Sequence, residues 1–136
     1  MVSDAITYDA QIRGRYLRIG NPIFHDGVYA TVTAMICDDD RRRVIAQTRG
    51  DDDHLTRVFE IAYDTGVEAG VIMQYGIDRP EHRSVMPVHT GHGTRSRDLA
   101  LAAIARRGGI LMTRPVIPDL TSETGARPLA EFEPAA

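Results

Sequence analysis

Apolar and polar residues alternate most regularly between Val28 and Cys37. Val28, Ala30, Val32, Ala34 and Ile36 fall on one side, and Tyr29, Thr31, Thr33, Met35 and Cys37 on the other. A period of two with many β-branched residues predicts a strand. Asp38-Asp39-Asp40 follows as a polar loop, and Arg43 to Thr48 returns as a second strand, so the stretch predicts a hairpin. Upstream, Arg15 to Ile19 gives a short strand ended by Gly20-Asn21-Pro22, and Asp26-Gly27 marks a turn.

The period changes after Asp51-Asp52-Asp53. Leu55, Phe59, Ala62, Gly66, Ala69 and Met73 keep one helical face, while Arg57, Glu60, Asp64 and Glu68 keep the other. Aspartates suit the free amides and partial positive charge of a helix N-terminus. The pattern favours one helix over residues 52–73, with its small residues available as a self-association face. A rival reading stops the helix at Thr65-Gly66 and makes Gly70 to Tyr75 a strand.

Gly76 to Gly93 is irregular. A second helix is expected from Ser96 to Arg107, with Leu99, Ala102 and Ala103 along one side, stopped by Gly108-Gly109. Ile110 to Thr113 reads as a last strand before Pro115 and Pro118. The expected fold class is α+β: an antiparallel, hairpin-based sheet with two helices packed on one face. Residues 1–118 are expected to form a single domain, and 119–136 an acidic, proline-containing, mobile tail.

Composition adds limits. A chain of 136 residues can bury a core without metal or disulfide staples. It has no apolar run of about 18 residues, which argues against a membrane span. Met1 to Gln11 lacks the basic start and apolar stretch of a secretory signal. Cys37 stands alone, cannot form an internal bridge, and suits a reducing, cytoplasmic setting; at the end of a strand it is expected to be a buried, inert thiol. All 16 basic residues are arginine. A swap this uniform reads as the imprint of a GC-rich bacterial or phage genome rather than of one arginine-rich site. The net charge is −3, and Asp119, Glu123, Glu131 and Glu133 against Arg127 account for it. The balanced remainder argues against nucleic acid as a partner.

The sharpest local feature is Thr90-Gly91-His92-Gly93-Thr94-Arg95-Ser96-Arg97, a glycine-bearing loop opening a predicted helix. Helix starts present unpaired amides to anions. Gly91 and Gly93 would admit an anion close to the backbone, Arg95 and Arg97 would add charge-assisted bonds, and Thr94 a hydroxyl. His89 and His92 lie beside it. His82, His89, His92 and a carboxylate suggest a metal-assisted hydrolase, although the full zinc ligand set is missing. Asp38 to Asp40 are followed by Arg41 to Arg43, which makes a solvated hairpin tip a better account than a magnesium site.

No motif is specific enough to carry a family, and none requires a cofactor or a catalytic residue. The favoured expectation is a small non-enzymatic, self-associating protein holding an anionic or nucleotide-like ligand on Gly91, His92, Gly93, Thr94, Arg95, Arg97 and His89. The alternatives are a structural or adaptor subunit of a phage-type assembly and the metal-assisted hydrolase.

Overall fold

The computed structural model describes residues 6–88 and 93–135, with helical side chains from 96 onward. Ten strands and one helix follow the chain: β1 Thr7–Arg13, β2 Pro22–His25, β3 Val28–Asp38, β4 Arg43–Gly50, β5 Thr56–Ala62, β6 Gly66–Asp78, β7 Met86–Pro87, α1 Gly93–Arg107, β8 Ile110–Pro118, β9 Ala126–Pro128 and β10 Glu133–Pro134. A 3-10 turn, Gly14–Tyr16, follows β1. The chain divides into two compact units. The first comprises residues 7–71 and 117–126, and the second is built from 72–116 and 127–135.

In the first unit β1 and β2 flank the start of β6, so that Ala69 lies opposite both Ala10 and Ile23. The order continues antiparallel from β2 through β3 and β4 to β5. The 3-10 turn then meets the end of β5, where Gly14 and Arg15 amides donate to Thr65 and Tyr63 carbonyls at 2.9 and 3.2 Å. Gly14 has no room for a side chain there, since a Cβ would lie 2.3 Å from the Ala62 oxygen. The enclosed core is Leu17, Ile23, Val32, Val44, Ala46, Ile61, Tyr63 and Val67, with Met35 and Phe59 packed against it. Asn21 is fully buried: its Nδ2 donates to the Pro118 oxygen and its Oδ1 accepts from the Arg18 amide, both at 2.8 Å. Its polar atoms therefore replace the hydrogen bonds they lose with water.

The predicted hairpin is present as β3 and β4, but its alternation breaks. A register shift falls between Val32 and Ala34. The extra residue sends Ala34 and Ile36 outward, Ile36 being 66% exposed, and leaves Met35 against the core. Cys37 is exposed, not buried as its place at the end of a sheet-packed strand implied.

The predicted helix over 52–73 is absent, and the expected α+β class with two helices on one face is corrected to a mostly antiparallel β protein with one helix. Asp51 to Asp53 form a turn. Asp53 Oδ1 accepts from the Leu55 amide at 2.9 Å, and His54 sits at φ 59°. The carboxylate thus satisfies a backbone amide two residues on, as an Asx turn does, instead of capping a helix. The turn delivers β5 antiparallel to β4, from Arg43↔Ala62 to Arg49↔Thr56. Period two then prevails over the coincident helical spacing: Phe59 and Ile61 face inward while Val58 and Glu60 face out. Beyond Gly66, Val67 and Ala69 are buried in β6. The self-association face proposed for that helix has no counterpart.

In the second unit β6 continues antiparallel to β8, from Ile72↔Val116 to Asp78↔Ile110, and to β7 at Gly76↔Pro87. β8 also carries β10 through Glu133↔Thr113. The helix α1 agrees with the second predicted helix but begins at Gly93. Its buried stripe is Ser96 and Ala100, whereas Leu99 and Leu101 are 43% and 37% exposed. Gly108 ends it at φ 78°, its amide reaching the Ile104 oxygen at 2.7 Å. Buried Arg79 donates from Nε to the Gly108 oxygen at 2.8 Å and from Nη2 to the Ala103 oxygen at 3.3 Å. A fixed positive charge there complements the partial negative charge of the helix end. Among the described residues no helix is long and apolar enough to cross a membrane.

Strand and helix readings of 55–61 predict opposite burial. Ile61→Ala is expected to cost about 2–5 kcal/mol in urea denaturation because its side chain is enclosed. Leu55→Ala, at 57% exposed, should stay within about 0.5 kcal/mol of the parent. The reverse order would contradict the strand.

Candidate functional site

Five ion pairs lie in the first unit: Arg15–Asp64, Arg42–Asp64, Arg43–Asp38, Arg43–Glu60 and Arg57–Asp53. The two aspartate triplets belong to this network. Asp38 accepts from the Arg41 amide as well as from Arg43, and Asp39 accepts from the Tyr63 hydroxyl, which pushes the phenol up to about 12. Asp51 accepts from Thr31 at 3.2 Å and from Tyr8 at 3.4 Å. Hydrogen bonds from Arg57, then from the Leu55 amide, lower the Asp53 carboxyl to about 2. Among the described residues no three histidine, cysteine or acidic groups gather as a metal site.

The second unit is different. Outside the first unit the sequence holds eight arginines against six acids, while the first unit holds eight against thirteen. Arg97, Arg106 and Arg107 on α1 are exposed, and none pairs with a carboxylate among the described residues. Arg79 is satisfied by backbone carbonyls.

Arg114 on β8 stands directly opposite Gln74 on β6. Its Nε donates to Gln74 Oε1 at 2.8 Å, and its guanidinium lies 4.1 Å from the Phe132 ring centroid. Such a cation–π stack holds the guanidinium plane flat. Burial lowers the Arg114 pKa, and no carboxylate offsets it. Gln74 is fully buried, and its Nε2 has no acceptor. Gly76 is the floor: a Cβ there would lie 3.0 Å from Phe132 Cε1 and 2.9 Å from the Met86 oxygen.

The sequence had pointed elsewhere. His89, Gly91 and His92 lie outside the described residues, and Gly93, Thr94 and Arg95 form the first turn of α1. The helix therefore starts three residues earlier than expected and runs through the segment read as a loop. Arg97 is exposed on that helix. Of the residues proposed for the hydrolase only His82 is described. No local pattern links Gln74, Arg114 and Phe132, because they are far apart in the chain. One signal was available: Gln74 interrupts the apolar run Val71-Ile72-Met73-Gln74-Tyr75, and a buried amide demands partners.

No protein-family model matches the chain. No curated protein matches it either. Among solved structures it is similar to eukaryotic translation initiation factor 5A from Methanococcus jannaschii, at 8% identity and a TM-score of 0.39, covering 93% of this chain and 94% of that one. It is also similar to a translation initiation factor eIF-5A family protein from Naegleria fowleri, at 10% identity and a TM-score of 0.37, covering 91% and 97%.

Three expectations are corrected. The segment read for the anion is not a free loop, and no three metal-ligating groups gather among the described residues. The small-anion binder, with the phage-type adaptor and the metal-assisted hydrolase offered beside it, is therefore not retained. The loop that was to cradle the anion is helical from Gly93. The exclusion of nucleic acid also falls, because a charge averaged over the chain concealed the difference between an acidic first unit and an arginine-rich remainder.

An NMR titration of the Asp53 carboxyl should give a midpoint near 2. In Arg57→Gln it should rise toward 3.8 without reaching it, since the Leu55 amide still donates. The folded value lies below the unfolded one, so the stabilisation from this pair is complete above pH 3.8 and is lost as pH falls toward 2. An unmoved midpoint in the variant would contradict the pairing.

Proposed function

We propose that the protein is a non-enzymatic nucleic-acid-binding protein whose second unit contacts the phosphate backbone. The observation that carries this is the charge balance: the first unit holds eight arginines against thirteen acids and the rest of the chain eight against six, and Arg97, Arg106 and Arg107 are exposed with no ion pair among the described residues. Guanidinium forks match phosphate oxygens in geometry and charge. The three arginines are spread around α1 at positions 97, 106 and 107 rather than along one stripe. This suits contact with a flexible backbone better than insertion of one helix face into a duplex groove. TM-scores below 0.5 add nothing to this reading, which stands on the charges.

Fluorescence anisotropy with a labelled single-stranded RNA over a range of salt concentrations tests it. Affinity should fall linearly on a log–log plot, with a slope of about 0.7 per phosphate contact. Replacing Arg97, Arg106 and Arg107 together by glutamine should reduce that slope by about 2. Absence of binding at low salt, or an unchanged slope in the triple variant, would overturn the proposal.

A further inference from the structure

We infer that Gln74, Arg114 and Phe132 form a guanine-selective subsite on the second unit, taking one unpaired base of a single strand. This rests on the nucleic-acid reading above and gives the surface a base preference that backbone contacts alone do not supply.

The cluster offers donors only. Arg114 spends Nε on Gln74 Oε1, and its two terminal nitrogens bond to no described residue. Gln74 Nε2 is buried beside it without an acceptor. Exposed Glu131 and Glu133 flank Phe132 in sequence, yet neither forms an ion pair with Arg114. A buried donor left unmatched marks a position that an incoming acceptor would complete. The ligand must therefore bring acceptors, and two adjacent ones for the planar fork. Guanine presents O6 and N7 side by side; adenine pairs N7 with a donor amine. The fork is also preorganised. Phe132 holds the guanidinium from one side, Gln74 fixes Nε, and Gly76 leaves the space in which the Phe132 ring settles. Recognition of an unstacked base on an arginine plane is a usual means of reading single strands.

The test compares an all-uridine single strand with strands carrying one central guanine, adenine or 7-deazaguanine, again by anisotropy. The guanine strand should bind about 10-fold more tightly than the others, 7-deazaguanine losing the gain because it lacks N7. Arg114→Lys keeps the charge without the fork and should abolish the preference, changing affinity for the uridine strand less than about twofold. Gln74→Glu supplies Arg114 with an internal carboxylate; it should also abolish the preference while melting no lower than the parent. Excess free GMP should not displace the guanine strand. Equal binding of all strands, with salt dependence intact, would overturn the subsite and leave the backbone surface standing. Full displacement by GMP would overturn a strand-borne base as the ligand. If no strand binds at all, the nucleic-acid reading fails and the subsite fails with it.

Discussion

The hydrogen-bond ladder of β6 is the constraint on which the rest depends. Its 13 residues run from Gly66 to Asp78, and along them it pairs with β1, β2, β7 and β8. In the first unit its buried Val67 and Ala69 contribute to the apolar interior. In the second unit it places Gln74 opposite Arg114 and leaves Gly76 bare beneath Phe132. A one-residue slip would move each of these side chains to the other face of the sheet. Register therefore fixes both the core and the candidate subsite.

Arginine does different work in the two units, although Arg13, Arg41 and Arg49 of the first are exposed and in no ion pair among the described residues. In the first unit guanidinium groups tie down hairpin ends: Arg43 bridges Asp38 and Glu60, and Arg15 with Arg42 holds Asp64 while both lie over the Tyr63 ring. These pairs are largely exposed and contribute little individually to stability. Their consequence for recognition is larger, because a paired arginine has little charge left to offer. In the second unit Arg79 closes a helix end and Arg114 stacks on Phe132. Both uses need a planar fork rather than an ammonium point charge. A compositional bias toward arginine can thus coexist with sites that depend on it.

Gln74 is where folding and recognition conflict. A wholly apolar side chain would carry no desolvation penalty in that position, and an acidic one would neutralise Arg114. Glutamine instead orients the guanidinium through Oε1 and leaves an unmet donor. Departures of this kind from a satisfied interior are expected where function, rather than stability, sets the residue.

By itself the sequence determined the local turns and the elements they bound. Val28 to Cys37 and Arg43 to Thr48 announced a hairpin, Gly108 a helix stop, and Asp38 to Arg43 a neutralised tip, because each is governed by neighbours a few residues away. Residues 55–73 misled because helical and strand spacings overlap there; the choice fell to pairing with β4, β1 and β2, which no local pattern contains. The bulge after Val32 was hidden for the same reason. Of the anion loop expected at 90–97, residues 90–92 lie outside the described structure and the rest is helical. Only the tertiary structure brought Gln74, Arg114 and Phe132 together and separated paired from unpaired arginines. Charge and hydrogen bonding act over a few ångströms in space, and that distance is set by strand register rather than by position along the chain.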